Sequence, residues 1–324
     1  MTSHSDASTL AGRRVLLVGG RGFVGSHVAR VLVGRGAGVH LFGPSMAEDR
    51  LPDLAGRIAE THGSLTDRTD IARAFAAAQP TDVVSCAGYG AGRLGLMRSG
   101  EADAEAAMAV NVVGHGTLLE AAREHGVGRV VWTSSTVVYG PASLYDGERV
   151  DEEAPRAPVT VYGLTKSLAE DVSAFHVRRG GLAVSALRLP LVLGPGLWYA
   201  GAAAALAAAF EAGRAGKAHR LAFHDEPIDL MHVADVTEAV AALLCQEPAV
   251  SGTFNLEGFT ARASDLVRDL REAIPDLDIT FADGGPPPLL FPLISGARLR
   301  ASTGFAARYD RAAFVRAMLG GSEK

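Results

Sequence analysis

The chain of 324 residues is poor in cysteine and nearly balanced in charge, which argues against several classes of protein. Its two cysteines, Cys86 and Cys245, stand in apolar surroundings and are predicted to be buried, unpaired thiols. So few cysteines argue against a disulfide framework or a metal site and fit a reducing compartment. The net charge of −5 gives no reason to expect nucleic acid or an anionic membrane surface as a partner.

Long hydrophobic runs are also missing. The most apolar stretch, residues 200–210, is mostly alanine and falls well short of the roughly 20 residues that a membrane-spanning helix needs. Residues 1–11 are mostly small and polar, lack the basic start and apolar core of a signal peptide, and are predicted to form a disordered tail. We therefore expect a cytoplasmic protein that does not bind a membrane.

A glycine-rich turn is the strongest local signal that the sequence does contain. The apolar run 15–18 leads into glycines at positions 19, 22 and 25, and a helical pattern begins immediately afterwards. In this context the first glycine permits a tight turn, the second lets the backbone approach a pyrophosphate, and the third lets helix and strand pack closely. The N–H groups at the helix start favour the negative charge. The segment predicts dinucleotide binding, with contacts from Gly19, Arg21, Gly22, Phe23, Val24 and Gly25.

Apolar strands and amphipathic helices alternate as far as residue 190. This alternation predicts an α/β fold with a doubly wound parallel sheet of the Rossmann type. The predicted helices include 68–78 with Asp67 as its N-cap, 103–125 and 161–178. A glycine-rich loop is predicted over 89–100. Beyond Gly196 the alternation stops, and a Gly-Pro-Pro-Pro turn is predicted at 285–288. We therefore predict a dinucleotide-binding domain over 12–190, to which 229–256 returns, and a smaller C-terminal substrate-binding lobe over 191–228 and 257–324.

The end of the second strand bears on the choice of dinucleotide. Gly43 stands where NAD-binding βαβ units usually place an Asp or Glu on the ribose hydroxyls. Without that carboxylate nothing repels a 2′-phosphate, and Arg21 and Arg50 are available to attract it. The pattern favours NADP over NAD as the cofactor.

A tyrosine and a lysine one helical turn apart are the candidate residues for proton transfer. Tyr162 and Lys166 share a helix face because they are at positions i and i+4. A lysine cation favours the phenolate of a tyrosine whose ordinary pKa is near 10, so the pair is suited to proton exchange. Ser135, at the end of the strand 129–133, is predicted to lie beside the tyrosine and hold a substrate oxygen.

Seven segments together resemble one known family over nearly the whole chain after residue 12. They are Gly19–Gly25, residues 111–114, residues 134–140, residues 162–166, Arg188 with residues 194–196, residues 232–236, and Asn255. The chain resembles the extended short-chain dehydrogenase/reductases, the NAD(P)-dependent epimerase/dehydratase family.

The resemblance implies a role for several residues. Ser135, Tyr162 and Lys166 match the catalytic group of the family. Contacts to the cofactor are implied for Ser64 and Leu65 on the adenine side, for Ala87, and for Pro190 and Val192 beside the nicotinamide. Ser64 departs from the family, which usually has an Asp there. Asn111 matches a helix residue near the active site, and a homodimer formed by the helices 103–125 and 161–178 is the expected assembly.

Departures from the family pattern narrow the function. Thr136 and Val137 replace the Asp–Glu pair of the 4,6-dehydratases, so elimination of water lacks its acid and base. Leu191 and the pair 227–228 replace an Asn and an Arg that often contact the diphosphate of a nucleotide sugar. A smaller substrate, such as a sugar acid, becomes the better expectation. Substrate contacts are predicted for Tyr89, Arg93, Thr136 and Trp198.

The sequence therefore predicts an NAD(P)-dependent oxidoreductase. It transfers hydride between the nicotinamide and a secondary alcohol or ketone of a sugar-like or sugar-acid molecule. The alternative is a nucleotide-sugar 4-epimerase that uses the same serine, tyrosine and lysine. A third interpretation, a redox sensor without catalysis, does not account for an intact proton donor.

Overall fold

A computed structural model describes residues 9–46, 48–284 and 290–320 of the chain. The apolar runs form its strands, whose bounds are β1 Arg14–Val18, β2 Gly38–Gly43, β3 Ile58–His62, β4 Asp82–Ser85, β5 Arg129–Ser135, β6 Ala183–Leu189, β7 Leu191–Leu193, β8 His219–Phe223, β9 Ile228–His232, β10 Gly252–Asn255, β11 Phe259–Ala261 and β12 Ile279–Asp283.

Seven of these strands form one parallel sheet in the order β10-β6-β5-β4-β1-β2-β3. From β1 the chain first builds β2 and β3 on one side and then β4, β5 and β6 on the other. The strand order therefore reverses between β1 and β4, and a ligand crevice is expected outside the carboxyl ends of the strands at this point. The predicted doubly wound parallel sheet is confirmed.

Helices cover both faces of the sheet. Their bounds are α1 Phe23–Gly34, α2 Arg68–Ala78, α3 Leu96–Ala102, α4 Ala104–Met108, α5 His115–Glu124, α6 Val161–Arg179, α7 Ala202–Arg214, α8 Val233–Leu244, α9 Ala263–Ala273, α10 Ala297–Thr303 and α11 Arg311–Met318. On one face α1 and α8 bury apolar residues such as Leu32 and Val240. On the other face α2, α5 and α6 bury Phe75, Leu118 and Ala169.

The helix predicted over 103–125 is not uniform. Between α4 and α5 the backbone forms a π-helical segment, Ala109–Gly114. Such a wide turn inside a helix is rare overall, and many of the known examples occur at functional sites. A Cβ on Gly114 would lie 2.9 Å from both Cβ and O of Leu65, so this position needs glycine for close packing. The segment also carries Asn111, whose side chain is buried.

Beyond β6 the chain forms two smaller sheets. One has the order β11-β9-β7, and the other pairs β12 with β8. Helices α7, α9 and α11 pack around a second apolar core that includes Phe210, Leu266 and Phe314. Strand β10 pairs with β6 and so brings part of the segment 229–256 into the main sheet. The division into two domains stays a prediction.

Two local predictions need correction. Residues 9–11 belong to the predicted disordered tail, but Leu10 is fully buried and its N–H donates to the carbonyl of Arg35; residues 1–8 lie outside the described residues. The segment 89–100, predicted as a loop, contains the start of α3. The Gly-Pro-Pro-Pro turn predicted at 285–288 also lies outside the described residues.

None of the helices in the described part of the chain has the length and apolar character that crossing a membrane would require.

Candidate active site

The glycine-rich turn is held in the geometry that a dinucleotide requires. Gly19 has a φ of 73°, a left-handed conformation that favours glycine. A Cβ on Gly25 would lie 2.2 Å from the carbonyl oxygen of Gly19, so α1 reaches the turn only because residue 25 lacks a side chain. Gly22 is the N-cap of α1. The first-turn N–H groups of Phe23, Val24 and Gly25 have no partner within the helix and face the crevice end of the sheet.

Two further donors lie on the segments that flank this turn. Arg50 Nε and Trp198 Nε1 are buried and have no hydrogen-bond partner among the described residues. The Arg50 guanidinium carbon lies 4.8 Å from the centre of the Trp198 ring. Their loops contact α1, since the carbonyl of Arg50 accepts from Arg30 and that of Pro195 bonds His27. Buried donors without acceptors, beside a helix N-terminus, fit an anionic group such as a pyrophosphate.

Lys166 is fixed between two strand ends. Its Nζ donates to the carbonyls of Thr133 in β5, at 2.8 Å, and of Ala87 after β4, at 3.3 Å. The side chain is 3% exposed. Burial lowers the pKa of Lys166 to about 8, with Cys86 and Glu170 acting in the opposite direction. The fold thus places a lysine with a shifted pKa at the end of adjacent strands.

Tyr162 lies beside Ser135, as the sequence predicts. Ser135 is near enough to Tyr162 to lower the pKa of its hydroxyl, and Lys166 Nζ lies 5.7 Å from the centre of the tyrosine ring. A close approach of α6 to the turn after β5 makes this contact. A Cβ on Gly163 would lie 2.2 Å from the carbonyl oxygen of Val137, so glycine is required there.

The expected lowering of the Tyr162 pKa by Lys166 is not found. Burial raises the pKa of Tyr162, and the neighbouring Tyr199 raises it further, whereas Ser135 lowers it. Lys166 directs its ammonium group to backbone carbonyls, and burial is the largest influence on the tyrosine.

Asn111 links the two halves of the site. Its Oδ1 accepts from the backbone N–H of Tyr89 at 2.8 Å, and its Nδ2 donates to the Thr165 hydroxyl at 2.9 Å. The π-helical segment therefore ties the loop after β4 to α6. This contact orients the helix that carries Tyr162 and Lys166.

A buried ion pair that the sequence did not reveal also fixes α6. Arg188 of β6 donates to both carboxylate oxygens of Glu170, at 2.9 and 2.7 Å, and to the Tyr139 hydroxyl at 2.7 Å. Ser134 donates to the same carboxylate at 2.7 Å. Glu170 lies one helical turn beyond Lys166, on the same face of α6, which is the signal that could have identified it.

The remaining predicted cofactor residues fall in two places. Ser64 lies after β3, where its N–H donates to Asp70 at 2.9 Å, so an acid does stand nearby although the usual Asp is replaced. The side chain of Leu65 is buried in the core against Gly114. Pro190 and Val192 are buried after β6, and Val192 packs in one cluster with Phe23.

Arg21 is not an unpaired cation. Its Nε and Nη2 each donate to one oxygen of Glu60 at 2.7 Å, and its Nη1 donates to Asp49 at 2.7 Å. The premise that no carboxylate stands near the end of β2 is therefore wrong. Glu60 of β3 and Asp49 place two carboxylates beside Arg21, although residue 43 is a glycine.

The predicted substrate residues are only partly brought together. Thr136 follows Ser135 directly and opens a short 3-10 turn. The Tyr89 hydroxyl donates to Asp103 at 3.4 Å, and the Arg93 side chain is exposed while its carbonyl accepts from Ala200.

Trp198 and the next residue, Tyr199, have different neighbours. The Trp198 ring lies against Arg50, whereas Tyr199 packs against Phe23 with ring centres 6.3 Å apart and lies near Tyr162. The substrate contact of Trp198 stays a prediction.

Among the residues that the structure describes, no three His, Cys, Asp or Glu side chains are grouped so that they could hold a metal ion.

Comparisons with known proteins agree with this architecture. A profile of the NAD dependent epimerase/dehydratase family matches residues 15–256. Uronate dehydrogenase of Pseudomonas syringae pv. tomato is 38% identical over 85 residues, which are 26% of this chain and 30% of that protein. D-erythronate dehydrogenase of Cupriavidus necator is 32% identical over 193 residues, 55% of each chain. The matches therefore span less than two thirds of these curated relatives.

A solved structure is similar over its full length. UDP-glucose 4-epimerase of Thermus thermophilus, in complex with NAD, has a TM-score of 0.80 and 26% identity, covering 95% of this chain and 100% of that one. The residues matched by the family profile extend from β1 to just beyond β10 and include the glycine-rich turn, Ser135, Tyr162 and Lys166. The chain belongs to the NAD dependent epimerase/dehydratase family.

Proposed function

We propose that the protein is an NAD(P)-dependent dehydrogenase or reductase acting on a secondary alcohol or ketone. The observation that carries this proposal is that Tyr162 lies close enough to Ser135 for the serine to influence its pKa, beside a lysine held at the ends of β4 and β5. NAD(P), when bound at the glycine-rich turn, supplies a hydride acceptor or donor. The protein supplies a site for the substrate oxygen and a route for its proton.

Ser135 and Tyr162 act on the same substrate oxygen. The Ser135 hydroxyl donates a hydrogen bond that holds this oxygen. The Tyr162 hydroxyl gives the oxygen its proton when hydride reaches the carbon, and takes that proton back when hydride leaves the carbon. The raised pKa of Tyr162 keeps its hydroxyl protonated in the protein without cofactor. Lys166 adds positive charge near the phenol and positions the ribose of the cofactor.

The substrate is proposed to be a small polar molecule such as a sugar acid. Leu191 and Ile228 are half-buried apolar side chains packed against the second core, so neither offers a contact to a diphosphate. Asp229 is already engaged by Arg149 and Thr260. Two of the relatives are named as dehydrogenases of uronate and of D-erythronate, which supports this substrate class.

A nucleotide-sugar 4-epimerase is the second candidate. The similarity to UDP-glucose 4-epimerase of Thermus thermophilus over the full chain favours it, because an epimerase would use the same Ser135, Tyr162 and Lys166. An epimerase causes no net redox change and retains its cofactor through purification. A redox sensor is disfavoured because sensing does not need this proton donor.

The choice between NAD and NADP is a separate proposal. The sequence predicts NADP from Gly43 and Arg21, but Arg21 is held by Glu60 and Asp49. Titration of the protein with both dinucleotides, followed by fluorescence, decides between them. A clear preference for NAD contradicts the prediction made from the sequence.

We also propose that the protein is a homodimer in the cytoplasm. Large apolar side chains are exposed on the helices predicted to pair, namely Val113 at 67%, Leu164 at 45% and Phe175 at 50%. Such residues on neighbouring helices support a partner surface. The proposed cytoplasmic location rests on the two unpaired cysteines, Cys86 and Cys245.

A substrate screen tests the proposed reaction. Uronic acids, aldonic acids and UDP-sugars are offered with NAD or NADP, and the absorbance of the reduced nicotinamide is followed. We expect turnover with an acid and none with UDP-glucose. Conversion of UDP-glucose to its 4-epimer without a change in absorbance would favour the epimerase instead.

A further inference from the structure

Three charged side chains, Arg21, Glu60 and Asp49, form a group beside the end of β2. We call this group the Arg21 cluster. A Cβ on Gly43 would lie 3.8 Å from the backbone nitrogen of Gly19, so the end of β2 abuts the glycine-rich turn. In this fold the ribose hydroxyls of the adenosine half lie at this strand end. Gly43 offers them no side chain, whereas the side chains of the Arg21 cluster belong to the glycine-rich turn, to β3, which pairs with β2, and to the loop that follows β2.

The cluster is built so that its carboxylates stay in place. Glu60 stands opposite Leu41 in the pairing of β3 with β2, and both of its oxygens accept from Arg21. Asp49 accepts from Arg21 and from the backbone N–H of Leu51 at 3.0 Å. The side chains of Arg21 and Glu60 are 21% and 19% exposed, so water screens their interaction only in part.

The net charge of the Arg21 cluster favours the ribose of NAD over the 2′-phosphorylated ribose of NADP. Arg21 contributes one positive charge, and Glu60 and Asp49 contribute two negative charges, so the cluster carries a net charge of −1. A 2′-phosphate brings about −1.5 to −2 more at neutral pH, judged by other phosphate monoesters. A ribose with two hydroxyls instead donates hydrogen bonds, which the remaining lone pairs of the carboxylates can accept.

We propose that Glu60, with Asp49, selects NAD over NADP by neutralising Arg21 and accepting from the ribose hydroxyls. This inference rests on the dinucleotide binding of the proposed function. The side chain that reads the ribose then comes from β3 rather than from the end of β2. Arg21 holds the two carboxylates in place. It binds a 2′-phosphate only when the carboxylates lose their charge.

Equilibrium binding of NAD and NADP tests the inference without any turnover. Dissociation constants are measured by calorimetry for the wild type, Glu60→Gln, Asp49→Asn and the double variant. We expect the wild type to bind NAD at least tenfold more tightly than NADP. Glu60→Gln shifts the ratio at least tenfold towards NADP, and the double variant shifts it further. The shift decreases as salt is added, because it is electrostatic.

Two comparisons isolate the role of Arg21. Asp53→Asn removes a carboxylate four residues beyond Asp49 that pairs with Arg30 and not with Arg21, so it should leave the ratio unchanged. Arg21→Ala in the Glu60→Gln background should abolish the gain in NADP affinity, as a double-mutant cycle requires. If Glu60→Gln fails to fold, Asp49→Asn carries the test, since Asp49 is 58% exposed.

Other results would overturn the inference. A wild type that prefers NADP, or a Glu60→Gln ratio equal to that of Asp53→Asn, contradicts it. Failure of the proposed reaction looks different, because NAD would then bind with the expected ratios while no hydroxy acid is turned over. Equal affinities for the two dinucleotides, with full turnover of a sugar acid, would contradict the selectivity alone.

Discussion

At the scale of single residues, Gly25 allows α1 to approach the turn closely because it has no side chain. An added Cβ at Gly25→Ala would meet the carbonyl oxygen of Gly19 at 2.2 Å, which forces the turn or the helix to move. We expect the affinity for dinucleotide to fall at least tenfold and the free energy of unfolding to fall by about 1–3 kcal/mol. Calorimetric titration and thermal unfolding measure the two effects.

Gly34→Ala is the matched control at the other end of α1. Apart from its chain neighbours and the backbone of its own helix, no described atom lies within 4 Å of the position where its Cβ would stand. The variant should bind dinucleotide as the wild type does. Equal binding by both variants would show that the close contact at Gly25 does not shape the site.

The residue spacing was enough to identify Ser135, Tyr162 and Lys166. The end of a strand and an i, i+4 pair on a helix can each be recognised from a short stretch of sequence. The fold then brings Ser135 next to the helix that carries Tyr162 and Lys166. The pairing of Arg21 was not predictable in this way, because Glu60 lies 39 positions away and its side chain shows no motif. The raised pKa of Tyr162 was missed for a related reason, since burial depends on side chains from several elements.

At the scale of elements, the ion pair of Glu170 with Arg188 fastens α6 to the sheet. Glu170→Gln would leave a guanidinium that is 3% exposed without its carboxylate. We expect the free energy of unfolding to fall by about 3–5 kcal/mol, as for other buried pairs that lose one partner. Denaturant titration measures this loss.

Asp171→Asn is the control for that variant. Asp171 is the next residue of α6, is 59% exposed and pairs with Arg156 at 2.5 Å. An exposed pair contributes about 0–1 kcal/mol, so little should change. Equal stability of the two variants would mean that the buried pair does not hold α6.

Helix α5 carries a buried histidine that makes folding sensitive to acid. His115 Nε2 is 2.9 Å from the Ser173 hydroxyl, and burial lowers the pKa of His115 to about 3. The unfolded chain, whose histidine has a pKa near 6.5, therefore binds an extra proton between pH 6.5 and 3. Stability should fall as pH falls through this window, by up to about 1.4 kcal/mol per pH unit from this group.

His115→Gln measures that contribution, because glutamine does not titrate. Denaturant titrations at pH 7 and pH 4.5 are compared for the two proteins. The wild type should lose more stability on acidification than the variant does. An equal loss in both would show that His115 is not buried in its neutral form.

The elements were predictable where their pattern is regular. The helix 68–78 and its cap Asp67 agree with the structure, since the Asp67 side chain accepts from Thr69 and Asp70. The π-helical segment was missed because its residues differ from a regular helix only in backbone hydrogen bonding. The short strands β7, β8, β11 and β12 were missed because they pair across long separations and lack alternation.

At the scale of the whole molecule, the proposed dimer depends on apolar residues of the π-helical segment and α6. Phe175→Glu places a charge on a side chain that is 50% exposed and lies in the proposed interface. We expect the molecular mass in solution, measured by light scattering, to fall from that of a dimer to that of a monomer.

Leu144→Glu is the comparison, because Leu144 is 62% exposed but lies outside the two helices. It should leave the dimer intact. A wild type that is already a monomer, or a Phe175→Glu variant that remains a dimer, would contradict the proposed assembly.

The central claim is that Tyr162 exchanges the proton of the substrate while the glycine-rich turn holds the dinucleotide. Tyr162→Phe removes one hydroxyl and keeps the ring, so it separates the two roles most directly. The measurement pairs calorimetric binding of NAD or NADP with turnover of the best substrate from the screen. We predict unchanged cofactor affinity and a loss of turnover of at least a hundredfold. Turnover near that of the wild type would contradict the mechanism.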